Sequence, residues 1–358
     1  MNRKPIAIGN AKRTREAFTL AELLVSILII GLIVFVAAQL MSNASAISRT
    51  GQKHVSTDTQ ARVVLDRMAL DFAQMLKRID VDYYVKQPNG YTGHGNGHGW
   101  GHHLNGQLGS DQIAFFTQVP GYYPSGAQSP YSLVAYRVNQ SSSTNRAWMK
   151  LERLSRGLLW NGVSNTNTPL VFLPLTIGSQ WPWAVNNNTT CGGNSGNNSC
   201  DPDGFYEVIG PGVFRFEYYY VLKNGRASDV PWDRDARPNQ TTLTNRQSIG
   251  LTDVEAIGVV IAVINSTDRA IIDANAANLA NASLLDLASD LADFAGAHGR
   301  GVGNQTRYIG QIENDWENTL ETVTQTGQTS SGGYFPPAVA SNIRIYGRTF
   351  DLKTLSTF

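Results

Sequence analysis

Four histidines, His94, His98, His102 and His103, fall within the stretch YTGHGNGHGWGHHLNG. Imidazoles ligate zinc, copper or nickel, and a four-residue step would align them on one helix face. Six glycines between Gly93 and Gly106 argue against that helix. A loose loop loses much entropy on closing around an ion, so the stretch reads as a solvated loop and no metal is expected there. Asp201-Pro202-Asp203-Gly204 sets two carboxylates beside a glycine turn, as calcium loops do. The later Glu that completes an EF-hand loop is missing. Cys191 and Cys200 bracket the eight residues GGNSGNNS. Two cysteines make a poor zinc site. Outside the cytoplasm they read as a disulfide, worth roughly 2–3 kcal/mol for so short a loop, with two free thiols as the alternative. No nucleophile elbow, HExxH, P-loop or GxGxxG ahead of a helix occurs. The expected class is therefore non-enzymatic, with no cofactor.

Glu22 is a more informative carboxylate. It is the single charge in the 24-residue run Phe18 to Met41, FTLAELLVSILIIGLIVFVAAQLM. As a helix that run covers about 36 Å, against about 30 Å of bilayer hydrocarbon. Residues 1–17 carry Arg3, Lys4, Lys12, Arg13 and Arg15 against one acid, Glu16, and such a basic segment stays on the cytoplasmic side. A cleaved secretory signal would use Ala44-Ser45-Ala46, but its apolar region runs only about 7–15 residues. A plain signal anchor accounts for the length and leaves Glu22 unexplained, since a carboxylate within hydrocarbon costs several kcal/mol unless it is partnered or near the interface.

The segment Arg15-Glu16-Ala17-Phe18-Thr19-Leu20-Ala21-Glu22-Leu23-Leu24 resembles the processing motif of type IV prepilins and pseudopilins. The resemblance implies cleavage between Ala17 and Phe18 by a prepilin peptidase, followed by N-methylation of Phe18. It also implies that Glu22 meets the Phe18 amine of a neighbouring subunit, neutralising two charges and setting axial register. The family usually has Gly where this chain has Ala17, and many members have a proline in the apolar helix that this chain lacks. The order of later segments is similar to that of J-type minor pseudopilins of type II secretion: Leu151 to Arg156, Val213 to Tyr220, then Val254 to Val263. Length and the N-terminal motif also resemble the Verru_Chthon cassette protein C group, itself prepilin-like. The implied partners are other pilin-like subunits, the peptidase and an inner-membrane assembly platform.

These residues need elements to position them. Residues 42–54 are polar, with Gly51 an expected weak point. Ala61, Leu65, Met68, Phe72, Met75 and Ile79 then recur at helical steps. Strands are expected over 111–119, 132–139, 147–154, 212–222, 253–265 and 343–352, from β-branched and aromatic content between turn residues. Lys223-Asn224-Gly225 signals a hairpin. Residues 269–296 read as one amphipathic helix ending at Gly296, more suited to packing on its own sheet than to binding a partner. Segments 87–110, 121–130, 184–204 and 323–336 read as loops.

Charged residues make up only 16% of the 358, and the net charge of +1 gives no electrostatic case for nucleic acid. The expectation is an α+β, pilin-like fold: a leader over 1–17, a transmembrane helix over 18–41, its extracytoplasmic continuation over 42–80, and a β-rich domain over 81–358. The expected location is the bacterial inner membrane, single-pass, with the bulk periplasmic. The rival is a membrane-tethered extracytoplasmic binding protein, for a metal or glycan, that does not polymerise.

Overall fold

The computed structural model describes residues 19–76, 83–87, 90–93, 110–122, 128–129, 131–140, 143–157, 206–228, 251, 253–275, 280–292, 294 and 308–352. Helix α1 runs Leu20–Ala73 without a break. The helix continues through the polar residues 42–54, where Gly51 is the expected weak point. A lone interior glycine costs a helix only about 1 kcal/mol relative to alanine, and Gly51, which nothing approaches, is tolerated. The end of α1 is set by a strand. Thr117 donates its hydroxyl to the carbonyls of Asp71 and Gln74, and the Gln118 amide donates to Gln74 O at 3.0 Å. Carbonyls that a helix terminus leaves without intrahelical donors are thus satisfied by tertiary contacts.

Two compact units divide the chain, Met1–Gln52 and Lys53–Phe358. Among the described residues of the second, two sheets form in place of the one expected. The first sheet contains β1 (Tyr83–Gln87), β2 (Gly90–Gly93), β3 (Gln112–Thr117), β4 (Gly121–Tyr122), β5 (Gln128–Ser129), β6 (Ser132–Val138), β7 (Leu151–Gly157) and β8 (Tyr206–Gly210). Their order is β2-β1-β3-β6-β7-β4-β5, with β8 also on β7. Pairing is antiparallel apart from the β4–β7 bridge, Tyr122 with Arg156. The small strands β2, β4 and β5 lie in segments read as loops from sequence.

The second sheet has the order β10-β9-β11-β12, from β9 (Val213–Leu222), β10 (Ala227–Ser228), β11 (Val254–Val263) and β12 (Arg344–Asp351). The β9–β10 hairpin turns at Lys223-Asn224-Gly225, where Gly225 has φ 79°. That left-handed conformation is one glycine adopts without strain. Of the three segments compared by sequence with J-type subunits, Leu151 to Arg156 belongs to the first sheet, and the other two are neighbours in the second.

Residues 53–73 of α1 supply the stripe Ala61, Val64, Leu65, Met68 and Phe72 to the core, all buried. The Phe72 ring stacks on Phe115 at 5.0 Å and lies 5.3 Å from Phe350, so one side chain joins both sheets. On β9 the alternation is real, but neither face meets water. Phe216, Tyr218 and Tyr220 pair in register with Ile261, Val259 and Ile257 of β11, on the face that carries Arg348 and Phe350 of β12 toward α1. The opposite face, with Arg215, Glu217 and Tyr219, is covered by later segments.

Those segments are α2 (Ser266–Asn275), α3 (Leu284–Asp290), α4 (Gln311–Thr326) and the single turn α5 (Pro337–Ala340). The one helix expected over 269–296 is two, α2 and α3. The Ser283-x-x-Asp286 capping box starts α3 afresh, and the expected end at Gly296 lies outside the described residues. Helix α4 enters the segment read as a loop from 323 and stops at Gly327, φ 68°, a left-handed C-terminal glycine.

The strand expected at 147–154 begins later, at Leu151. Residues 147–150 form a turn in which Met149 has φ 51°, a conformation that strains a non-glycine residue. The turn is held from both sides. The Met149 amide donates to Asn139 O at 2.7 Å, and buried Arg269 donates to the carbonyls of Trp148, Met149 and Pro211. Burial holds the Arg269 guanidinium below its ordinary range, with Asp273 opposing.

Candidate functional site

Leu20 to Met41 of α1 forms an apolar surface exposed along its length, including Leu24, Leu28, Leu32, Phe35 and Met41. Among the described residues this is the one helix long and apolar enough to cross a membrane, a length and composition that suggest a single membrane anchor or signal sequence. At its start, Thr19 and Glu22 close on each other. The Thr19 amide and hydroxyl each donate to Glu22 Oε2 at 3.0 Å, and the Glu22 amide donates to Thr19 Oγ1 at 3.3 Å. This is a capping box, S/T-x-x-E, which satisfies two amides that a helix start leaves unpaired. The spelling Thr19-Leu20-Ala21-Glu22 carries that signal in the sequence, and it goes unused when Glu22 is weighed only as an intramembrane charge. Ser26 donates its hydroxyl to Glu22 O at 2.7 Å, fastening the next turn.

The remaining residues singled out from sequence, Ala17, Phe18, the four loop histidines, Cys191, Cys200, Asp201 and Asp203, lie outside the described residues. Among the described residues no group of three or more His, Cys, Asp or Glu is placed to hold a metal ion.

In the second unit the same helix is fixed by polar contacts that the apolar periodicity does not reveal. Asp71, fully buried, receives Arg153 Nε at 2.7 Å and Arg153 Nη2 at 2.9 Å, and the Tyr136 hydroxyl donates to it as well. Arg67, one turn earlier, stands 3.5 Å away. Burial lowers the Arg153 pKa, but the Asp71 bonds and charge outweigh it and raise the guanidinium above its ordinary range. Burial, then the Asp71 charge, push the Tyr136 phenol far up. Such a two-pronged contact joins α1 to β6 and β7 with fixed geometry. A signal for it exists in the sequence: Asp71 interrupts the apolar stripe between Met68 and Phe72, on the face that packs.

Asp268 makes a second tie. Lys53 Nζ donates to it at 2.7 Å and Asn342 Nδ2 at 2.9 Å, and Asn265 also donates to it. The Asp268 amide returns a bond to Asn265 Oδ1 at 2.9 Å. Asp268 thus joins α1, the start of α2 and the approach to β12. Along β12, Arg348 pairs with Asp66 at 2.6 Å, Tyr346 donates to Asp58, and Arg344 contacts both ring nitrogens of His54. The Arg348–Asp66 pair is exposed and worth at most about 1 kcal/mol. The strongly perturbed tyrosines, Tyr136 and Tyr218, are both fixed within helix–sheet and sheet interiors. No protein-family model matches the chain, and no curated protein matches it.

Proposed function

We propose that this protein is a structural, pilin-like subunit of a type II secretion or type IV pilus-like assembly, processed between Ala17 and Phe18. The reading rests on one observation above others. Glu22 is the only ionisable residue in the exposed apolar surface that runs from Leu20 to Met41. It stands at the fifth position counted from Phe18, where a neighbour's N-terminal amine would neutralise it within a low-dielectric environment. The local bonds to Thr19, the residue after Phe18, hold that carboxylate at the helix start. Further support comes from architecture: an apolar helix whose later part packs on antiparallel sheets. The subunit would sit single-pass in the bacterial inner membrane, with other pilin-like subunits, a prepilin peptidase and an assembly platform as partners. Its function would be assembly, not catalysis.

The test is the mass and sequence of the N-terminus after purification from membranes. A chain beginning at Phe18 and carrying one methyl group supports the proposal. A chain beginning at Met1, or after Ala46, sinks it and leaves a tethered or secreted binding protein.

A further inference from the structure

On the outer face of the second sheet, Glu313 of α4 rests on β12. Its Oε1 occupies the space above Gly347, where the Cβ of any other residue would collide with it. Its Oε2 is buried and has no hydrogen-bond partner. A buried carboxylate oxygen left without a donor costs free energy when the group is ionised, and much less when it is neutral. Among the described residues the cation on this covered face is Arg215 of β9, and it pairs with Glu217 and lies over the Trp316 ring. From β9 Glu313 faces the Tyr219 ring, and from its own helix it faces Glu317. From β12 it meets Gly347, while Arg344 and Arg348 serve the opposite face, against His54 and Asp66. The nearest residues of β11 are uncharged, Gly258 and Val260. Burial first, with Glu317 adding to it, pushes the Glu313 carboxyl above its usual range, although its own backbone amide pulls the other way.

We propose that Glu313 is a proton-operated latch: its neutral carboxyl seats the first turn of α4 on Gly347, and its ionised form releases that turn. Buried Trp316, Leu320 and Val323 keep the later turns of α4 in place, so the released element is the first turn, Gly310 to Asn314, whose own buried side chain is Ile312. Acid closes the latch. A carboxyl raised by folding contributes stability that is fully present below its unfolded pKa, about 4.3, and is lost as pH rises through the folded value.

The test uses the full chain in detergent micelles, wild type beside Glu313→Gln, which keeps shape and cannot ionise. At pH about 4 the two should melt together. By pH about 7 the wild type should melt roughly 2 °C below the variant, and its amides from Gly310 to Asn314 should exchange faster than the variant's at the same pH. Gly347→Ala gives an independent arm. The new methyl displaces the flexible carboxyl into water, so adding Glu313→Gln on that background should open no pH-dependent gap. Equal melting of wild type and Glu313→Gln across the whole range would overturn the latch. So would a gap that survives in Gly347→Ala.

Discussion

Glu22 has two tasks that one substitution can separate. In the single chain it caps α1 through Thr19; in the proposed assembly it neutralises a neighbour's amine. Glutamine also serves at this position of a capping box but carries no charge. Glu22→Gln should therefore keep the helix start and still lose incorporation into the assembly, as completely as Glu22→Ala. Co-purification with partner subunits reads the outcome. If Gln incorporates normally while Ala does not, the cap matters and the charge pairing is wrong. Asp71 gives a prediction of a different kind. Asp71→Asn would leave the Arg153 guanidinium buried without its counter-charge, and breaking such a pair from one side costs about 3–5 kcal/mol. Urea unfolding should show a lower midpoint at unchanged slope. A loss under about 1 kcal/mol would mean that the contact is no stronger than a surface pair.

At the scale of elements, the second sheet is built to be covered on both sides. Arg215 donates to Leu291 O at 3.1 Å, pairs with Glu217 at 3.1 Å and lies over the Trp316 ring. Tyr219 stacks on Phe294 at 4.9 Å. Burial and the neighbouring Glu313 push its phenol up to about 12. The ring needs Gly258 beneath it, because a Cβ there would collide with its atoms. Gly258→Ala should displace Tyr219 from Phe294 and cost about 1–3 kcal/mol, the usual range for overpacking a close-packed site. Thermal unfolding measures the loss, and near-neutral stability would show that the ring repacks freely. The sequence displays the β9 alternation plainly. It does not show that Arg215 and Glu217 are covered, because period two reports which residues share a face and not what lies against it.

For the whole molecule, the boundary at Gln52 and Lys53 carries a consequence. The core contribution of α1 begins beyond it, with Ala61, Val64, Leu65, Met68 and Phe72. A chain beginning at Lys53 should fold in water without detergent and melt in one cooperative transition. A chain beginning at Gln74 should not fold. It lacks Phe72, the side chain that joins both sheets, and Asp71, the partner of Arg153 and Tyr136. Circular dichroism and gel filtration of the two chains decide the matter. If the shorter chain is cooperative, the helix is an appendage to the fold and not part of its core.

From the amino acids alone came the features whose cause is local. The apolar run follows from composition over a window. The strands at β3, β6, β9, β11 and β12 follow from alternation and turn chemistry, and the hairpin follows from Asn224-Gly225. Tertiary structure decided what distant contacts impose. Residues 147–150 have strand-like composition, yet Asn139 and Arg269 hold them as a turn. The segment 269–296 has one hydrophobic period, yet a capping box restarts it as a second helix. Helix α4 does carry Ile312, Trp316, Leu320 and Val323 at helical steps, but its mean apolarity is low. Its burial depends on a sheet face that local pattern describes as polar. Periodicity is set by neighbours along the chain, whereas covering a face, pairing a buried charge or bending a strand depends on residues a hundred positions away.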